Sequence, residues 1–340
     1  MTNDYKFKFR PYQRRFLRSL TTNHGKWDIR EGIILRLTDE SGKVGWGEIA
    51  PISWFGSETL EQALDFCRQL PGEITEKTIF SIPDELPACQ FGFESAWEMG
   101  SGEWGVGSEG DEGDEGDNLI TSNSSLLYSA LLPSGEAALN QWQTLWEQGY
   151  RTFKWKIGVG AIADELKIFE SLIHTLPAFN KLRLDANGGL SYEEANLWLQ
   201  TCDNLKANGE LALEIEFIEQ PLPVEQFQEM LKLSLSYETA IAIDESVATL
   251  GQLAACYQQG WRGIFVIKPG IVGSPSRLRK FCHQHQIDTV FSSVFETAIA
   301  RQAALQLAAE LSRNNRAIGF GIDHFFEQEE TWFQTLWNDL

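Results

Sequence analysis

The chain has 340 residues and a formal net charge of −20, from 48 acidic and 28 basic side chains. This excess of negative charge argues against nucleic acid and anionic membrane surfaces as partners, because both bind basic faces. Hydrophobic residues make up 43% of the chain, enough for a large core, and no stretch approaches the roughly 18 apolar residues of a membrane span.

Five cysteines are scattered along the chain, and none belongs to a C-x-x-C pair. An odd number of isolated cysteines is typical of a reducing compartment rather than of a secreted, disulfide-linked protein. The polar residues 1–6 lead into no apolar signal segment. We therefore expect a soluble cytoplasmic protein that does not insert into a membrane.

The first 123 residues are predicted to form an α+β capping domain. Residues 7–9 alternate between apolar and polar side chains, which is typical of a strand. Residues 32–37 and 44–48 are two further predicted strands, joined by a polar turn. Their spacing predicts a β-hairpin.

Two helices follow in this predicted domain. Over residues 57–70 the apolar side chains fall on one helical stripe, with Ser57 as the expected N-cap. Residues 91–99 are predicted to form a second helix, which is short and rich in aromatic side chains.

A low-complexity stretch at about residues 98–117 contains seven glycines and eight acids but no basic residue. Such a composition cannot bury enough apolar surface to offset the entropy lost on ordering, so we interpret the stretch as a solvated insertion. A calcium-binding loop is the alternative. The stretch lacks the spaced ligands of an EF-hand, which disfavours that alternative.

Residues 124–321 alternate regularly between strand-like and helix-like segments. The eight strands are predicted at residues 126–131, 152–157, 181–185, 214–219, 240–244, 263–268, 289–293 and 317–320. This alternation predicts an α/β fold with a closed (β/α)₈, TIM-like barrel, and residues 322–340 are predicted to pack back on the cap or the barrel. A doubly wound open sheet is the alternative, but no G-x-G-x-x-G follows a strand.

Three consecutive predicted strands of the barrel end in an acidic residue. These acids are Asp185, Glu219 and Asp244. Carboxylates at the C-terminal ends of neighbouring barrel strands point toward the same mouth. Together they predict a hard-oxygen site suited to Mg²⁺.

Lysines flank the predicted acid site. Lys154 and Lys156 share one face of the second barrel strand, because side chains alternate with period two. If that face is the interior, each ammonium disfavours the charge of the other, so that one lysine can act as a base near neutral pH. A pair of surface lysines is the alternative. Lys268 closes the sixth strand, on the opposite side of an eight-strand ring.

Lysines on both sides of a three-acid Mg²⁺ site suit one type of reaction, which is proton abstraction next to a carboxylate. The metal would coordinate the substrate carboxylate and stabilise the enediolate that forms when the proton leaves. Without that stabilisation the proton is far too weakly acidic for a lysine to remove.

Taken together, the motifs resemble the muconate-lactonizing-enzyme subgroup of the enolase superfamily, and within it the o-succinylbenzoate synthase family. The segments that carry the resemblance are Gly45-Trp46-Gly47-Glu48, Lys154-x-Lys156, Asp185-Ala186-Asn187, Glu219-Gln220-Pro221, Asp244-Glu245-Ser246, Lys268-Pro269 and residues 292–297. The resemblance extends over essentially the whole chain.

The resemblance implies a role for each matching residue. Lys156 would be the base, and Lys268 would stabilise the planar anion from the opposite face through a cation–π-like contact. The ligands of one Mg²⁺, with Mn²⁺ able to substitute, would be Asp185, Glu219 and Asp244. Supporting roles would fall to Lys154, Asn187, Glu245 and Ser292.

The implied reaction is a Mg²⁺-dependent syn-dehydration, catalysed by a carbon–oxygen lyase of menaquinone or phylloquinone biosynthesis. The small dicarboxylate 2-succinyl-6-hydroxy-2,4-cyclohexadiene-1-carboxylate would lose water to give 2-succinylbenzoate. Lys156 would take the ring α-proton, and its ammonium would then protonate the departing hydroxyl on the same face.

Other functions stay open at this point. An N-acylamino-acid racemase or a dipeptide epimerase of the same superfamily would use the same catalytic residues. Dipeptide epimerases carry Asp-x-Asp at the end of strand 8, which residues 319–323 lack. A Schiff-base barrel with Lys268 as nucleophile would form an adduct that borohydride traps. A non-catalytic metal-binding barrel would tolerate Lys156→Ala.

Overall fold

The computed structural model describes residues 4–22, 25–101, 126–209, 212–321, 325–326 and 330–338. The described strands are β1 (Asp4–Thr22), β2 (Gly25–Thr38), β3 (Val44–Ile49), β4 (Glu73–Thr75), β5 (Ser129–Leu131), β6 (Thr152–Lys156), β7 (Lys181–Asp185), β8 (Glu214–Glu219), β9 (Ile241–Ile243), β10 (Ile264–Ile267) and β11 (Asp288–Phe291). The described helices are α1 (Leu60–Gln69), α2 (Glu76–Phe80), α3 (Pro87–Ser101), α4 (Ala138–Glu147), α5 (Ile162–Thr175), α6 (Tyr192–Ala207), α7 (Phe227–Ser236), α8 (Leu250–Gln258), α9 (Pro269–Val272), α10 (Pro275–His285), α11 (Ala298–Leu311) and α12 (Glu330–Asn338). Among them, no helix combines the length and hydropathy needed to cross a bilayer.

The N-terminal strands form an antiparallel sheet in the order β3-β2-β1-β4. The predicted hairpin of β2 and β3 is confirmed, and β1 pairs with the other edge of β2. Buried and exposed side chains alternate along β1 well beyond residues 7–9, with Tyr12, Arg14 and Phe16 buried. The buried Arg14 interrupts the apolar half of this pattern, so the alternation is recognisable in the sequence only at residues 7–9.

Helix α1 is confirmed, but its predicted N-cap is wrong. The N-cap is Thr59, which forms a reciprocal capping box with Gln62. Ser57 has another role, because its hydroxyl accepts a hydrogen bond of 2.7 Å from the Ile52 amide.

The predicted start of the acidic insertion is also wrong. Helix α3 continues to Ser101, and Glu98 is a buried residue of this helix rather than part of a solvated loop. The Glu98 carboxylate accepts two hydrogen bonds, of 2.5 and 3.1 Å, from the Arg279 guanidinium of α10. Composition could not reveal a partner that lies 181 positions away. Residues 102–117 lie outside the described residues.

The barrel strands β5 to β11 form a parallel sheet in which spatial order follows chain order. The absence of a reversal among these strands excludes the doubly wound alternative. The predicted eighth strand consists of two isolated bridges, in which Ile318 pairs with Tyr128 and Gly319 pairs with Ser292. The first of these bridges joins the last strand to the first, and the second joins it to the seventh. The predicted α/β barrel with an N-terminal cap is therefore confirmed.

The barrel interior is filled below its C-terminal mouth. An apolar layer comprises Phe217, Ala242, Ile264, Val266 and Val290. At the N-terminal end, Arg183 and Arg316 hold the buried carboxylate of Glu216 at 2.6 and 2.8 Å. Burial alone would raise the pKa of Glu216, but Arg183, Lys181 and Arg316 together outweigh it and lower that pKa. A packed floor leaves the opposite mouth as the place for chemistry.

The C-terminal helix α12 lies against the cap sheet. The Trp46 ring of β3 packs edge-on against Trp337 and Phe333, with centroids 4.8 and 5.1 Å away. Trp332 contacts Tyr12 of β1 in the same edge-on way at 5.2 Å. These aromatic contacts cover one face of the four-stranded sheet with the end of the chain.

One buried carboxylate, that of Glu48, connects the cap to the barrel. It ends the segment Gly45-Trp46-Gly47-Glu48 in β3 and is 0% exposed. It accepts hydrogen bonds from the Tyr12 hydroxyl (2.5 Å), from the amide and hydroxyl of Thr297, and from the Ala300 amide. Thr297 is the N-cap of α11, so an acid of the cap satisfies the first turn of a barrel helix.

We expect Glu48→Ala to lower the free energy of unfolding by about 3 kcal/mol or more, because several buried donors lose their acceptor. Urea unfolding measures this change. Glu61→Ala is the control, since Glu61 is exposed and its contact within the described residues is a surface ion pair with Arg68, so its removal should cost less than about 1 kcal/mol. Equal losses in the two variants would contradict the proposed link between cap and barrel.

Candidate active site

The three acids lie together at the C-terminal mouth of the barrel. Asp185 and Glu219 are the last residues of β7 and β8 and are paired in the strand register, and Asp244 follows β9. Their exposed fractions are 7%, 1% and 4%. The strand pattern therefore placed all three carboxylates at one end of the barrel.

Lys154 lies inside the barrel and contacts two of the acids. Its ammonium is 2.8 Å from an Asp185 oxygen and 2.6 Å from a Glu219 oxygen. The intervening Trp155 faces outward and packs against Trp198 of α6, as period-two alternation requires. The surface-lysine alternative is excluded for Lys154 by these contacts.

Burial has the largest effect on the charged groups of the mouth, and neighbouring charges add to it or oppose it. Burial raises the pKa of Glu219, and the Asp185 carboxylate raises it further. Burial also raises the pKa of Asp244, against the opposing effect of Lys268. Burial would lower the pKa of Lys154, but Asp185 and Glu219 outweigh it and raise that pKa. The sequence predicts that each lysine of β6 lowers the pKa of the other. For Lys154, the neighbouring acids raise the pKa instead.

Lys156 lies two residues beyond Lys154 and nearer the mouth. It is paired with Asp185 in the register of β6 and β7. It is half-buried. Within the described part of the chain, its ammonium forms no hydrogen bond or ion pair. It therefore differs from Lys154, whose ammonium is occupied by two carboxylates.

Lys268 lies across the ring from Lys156, four strands along the sheet, and is held on two sides. Its ammonium pairs with the Asp244 carboxylate and lies 4.0 Å from the centroid of the Phe55 ring. Phe55 belongs to the cap, so one wall of the mouth comes from the N-terminal domain. The buried guanidinium of Arg30 supports the chain before Phe55 by donating to the carbonyls of Ala50 and Pro51.

The predicted supporting residues have different surroundings. The Asn187 amide donates a 3.1 Å hydrogen bond to Glu245, and the Asn187 backbone N–H donates one of 3.1 Å to Asp185. Burial raises the pKa of Glu245, opposed by Lys268. Ser292 follows β11. Its hydroxyl lies so close to Gly319 that a Cβ atom at position 319 would be only 2.8 Å from it. The structure thus ties Asn187 and Glu245 to the acids and places Ser292 on the seventh-strand side.

Sequence reasoning missed two residues that touch this site. Phe55 carried no signal, because an aromatic residue in a loop has many uses. Gln220 belongs to the segment Glu219-Gln220-Pro221, but nothing in the sequence indicated a role for its side chain. Its amide is buried and binds the backbone of Asp244.

The donor set fits a divalent cation. Within the described residues, no three His, Cys, Asp or Glu side chains form a ready-made metal cluster, and lysine ammonium groups lie against the acids instead. The oxygens that hold these ammonium groups are the hard donors that Mg²⁺ prefers. Three buried carboxylates that lie together also favour a counter-ion of charge two, because it offsets their mutual repulsion.

Comparison with known families agrees with this geometry. Residues 137–336 match the family described as "Enolase C-terminal domain-like", and residues 11–99 match "MenC, N-terminal domain". The barrel with its acid-lined mouth thus defines a member of the enolase superfamily.

Individual relatives identify the particular family within this superfamily. An o-succinylbenzoate synthase of Thermosynechococcus vestitus is 41% identical over 98% of this chain and 99% of its own length. The crystal structure of the enzyme of that name from Thermosynechococcus elongatus, with Mg in the active site, aligns with a TM-score of 0.85 and 38% identity, over 98% of this chain and all of that one. The chain therefore belongs to the o-succinylbenzoate synthase family.

The epimerases, which are the alternative class, share the fold but have a lower sequence identity to this chain. The substrate-liganded L-Ala-D/L-Glu epimerase of Bacillus subtilis aligns with a TM-score of 0.71 and 20% identity, over 95% of this chain and 90% of that one. Identity this low supports a common fold and leaves the reaction to be argued from the site.

We expect Lys154→Met to lower the free energy of unfolding by about 3–5 kcal/mol in the absence of Mg²⁺, because two buried carboxylates lose their counter-charge. Adding Mg²⁺ should restore much of that loss. The control is Lys167→Met, whose exposed ammonium lies 3.0 Å from the Asp164 carboxylate on α5, and which should lose about 1 kcal/mol or less. Urea unfolding of both variants with and without Mg²⁺ measures the difference. A loss unaffected by Mg²⁺ would contradict the assigned ligand set.

Proposed function

We propose that this chain catalyses the Mg²⁺-dependent dehydration of 2-succinyl-6-hydroxy-2,4-cyclohexadiene-1-carboxylate to 2-succinylbenzoate. One observation carries the proposal beyond family membership. The two lysines across the mouth are not equivalent, because Lys268 is held by Asp244 and Phe55 while Lys156 has no partner among the described residues. That asymmetry suits a reaction in which protons move on one face only.

Lys156 is the proposed base. An ammonium without a fixed partner can lose its proton and approach the substrate without first breaking an ion pair. After taking the ring α-proton, the same group is placed to return a proton to the hydroxyl that leaves from the same face. Aromatisation then makes the loss of water favourable.

Asp185, Glu219 and Asp244 are the proposed Mg²⁺ ligands. The bound ion supplies positive charge to the substrate carboxylate as the α-proton leaves. Asn187 and Glu245 orient this set through their mutual hydrogen bond and the contact to Asp185.

Lys268 is proposed to act as a fixed positive charge. Its contacts with Asp244 and the Phe55 ring restrict the ammonium to one place, where it lies across the ring from Lys156. A preoriented charge stabilises a developing anion without the cost of reorganisation. A racemase would instead require Lys268 to exchange protons as readily as Lys156. A Schiff-base mechanism would require it to be an uncharged nucleophile, which an ion pair opposes.

The remaining assignments are also proposals. The net charge of −20 supports the absence of a nucleic-acid partner, and the two lysines across the mouth, Lys156 and Lys268, support a small dicarboxylate substrate. All five cysteines are buried free thiols, which supports a cytoplasmic location. The proposed domains are the cap at residues 1–123, the barrel at 124–321 and a C-terminal segment at 322–340.

The test of this function is ultraviolet detection of the aromatic product. Wild-type protein should convert the cyclohexadiene substrate with Mg²⁺ and lose activity after chelation. Lys156→Ala should lose essentially all turnover, and Lys156→Arg nearly as much, because a guanidinium is no base near neutral pH. Lys167→Ala is the control, since that exposed lysine of α5 forms its ion pair with Asp164, on the outside of the barrel. Retention of a tenth of wild-type kcat by either Lys156 variant would exclude it as the base.

Substitution of Lys268 separates a dehydratase from a racemase. Lys268→Ala should reduce the dehydration rate on the order of a hundredfold or more, because a charge next to the developing anion is lost. Lys268→Arg keeps the charge and should retain part of the activity. If arginine is as inactive as alanine, a purely electrostatic role is wrong. Exchange of the substrate α-proton with deuterated solvent then shows whether Lys268 transfers protons.

A further inference from the structure

Gln220 connects the two strand ends that carry Glu219 and Asp244. It follows Glu219 directly, is 0% exposed, and has a φ of +37°. This φ lies in the left-handed region, which a residue other than glycine adopts only at some cost. The unusual backbone turns the chain out of β8, while the Gln220 N–H still donates a 2.7 Å hydrogen bond to Ala242 of β9.

The Gln220 amide bonds to the turn that follows β9. Its Oε1 accepts from the backbone N–H groups of Asp244 (3.0 Å) and Ser246 (3.3 Å). Its Nε2 donates to the Ser246 hydroxyl (2.8 Å) and to the Leu222 carbonyl (3.0 Å). Both lone pairs of the oxygen and both hydrogens of the nitrogen are therefore used.

From this geometry we propose that Gln220 is a positioning residue for the metal site, which fixes the Asp244 carboxylate relative to that of Glu219. The inference rests on the proposed function, because it assumes that these two carboxylates bind one Mg²⁺. Gln220 itself does not contact the ion. It acts by holding the backbone of one ligand from the residue next to another.

The physical reason lies in how Asp244 leaves its strand. Its φ and ψ of −118° and −72° are not those of a strand, so the sheet ladder no longer sets its direction. The side-chain oxygen of Gln220, Oε1, takes the place of a ladder acceptor for the Asp244 N–H. Without it, two buried N–H groups would lack an acceptor and the turn would relax, carrying the carboxylate away from Glu219.

The experiment compares Gln220→Met with Gln90→Met. Methionine has a similar length but makes none of the amide hydrogen bonds. Gln90 is a matched control, because it is buried and its amide bonds Ile82, Asp84 and Ser274 between the cap and α10 rather than at the acids. The measurement is the Kd for Mg²⁺ by titration calorimetry on chelator-stripped protein, with the Tm of each variant recorded.

Gln220→Met should raise the Kd for Mg²⁺ about 10–100-fold, the range for residues that orient metal ligands. Gln90→Met should lower Tm as well but leave the Kd within about twofold of wild type, since its hydrogen bonds involve none of the proposed ligands. Unchanged affinity in Gln220→Met, or an equal loss in both variants, would overturn the inference. If wild-type protein does not bind Mg²⁺, the proposed function itself fails and the inference fails with it.

Gln220→Asn covers the case in which Gln220→Met does not fold. Asparagine keeps the amide, but a side chain shorter by one methylene withdraws the oxygen from the Asp244 N–H. We expect about a tenfold increase in the Kd for Mg²⁺, the low end of the same range. Wild-type affinity in Gln220→Asn would overturn the positioning role.

Discussion

Repulsion among buried carboxylates is the constraint on which the rest of the site depends. Asp185, Glu219 and Asp244 are each less than a tenth exposed, and burial raises the pKa of the last two. Acids in this arrangement are stable only next to positive charge. Lys154 and Lys268 supply it within the chain, and both lie on the inner face of the barrel. Burying three carboxylates together costs stability. The strand register brings them together, and it thereby creates a site for a doubly charged ion.

The cap is part of the site as well as a cover for it. Phe55 reaches the Lys268 ammonium, and Arg30 holds the loop before it through two backbone carbonyls. At the seventh strand, Glu48 binds the N-cap residue Thr297, five positions beyond Ser292. Two separate walls of the mouth therefore depend on how the cap sits. Because catalytic groups need placement to a fraction of an ångström, a loosened interface should impair chemistry as well as stability.

The sequence predicted the features that follow from short-range periodicity. Apolar strands ending in an acid fixed β7 and β8 to the residue, and alternation predicted that Lys154 faces inward. It could not predict pairings that only the folded chain creates. Glu98 looked like the start of a solvated acidic stretch until Arg279 was placed beside it, and Phe55 had no pattern to mark it. The barrel and its acids were thus predictable, whereas the partners that tune each charge were not.

The unequal surroundings of Lys156 and Lys268 explain how one fold can serve two kinds of reaction. A superfamily member that inverts a stereocentre needs two mobile proton carriers, one on each face. A dehydratase needs one carrier, and the second lysine is more useful as a charge that does not move. Here the partners of Lys268 come from a different strand and a different domain, Asp244 and Phe55, while Lys156 is left without any among the described residues. Conversion toward racemisation would therefore require loosening the contacts of Lys268 rather than changing either lysine, because the residue types already suit both reactions and only their freedom of movement differs.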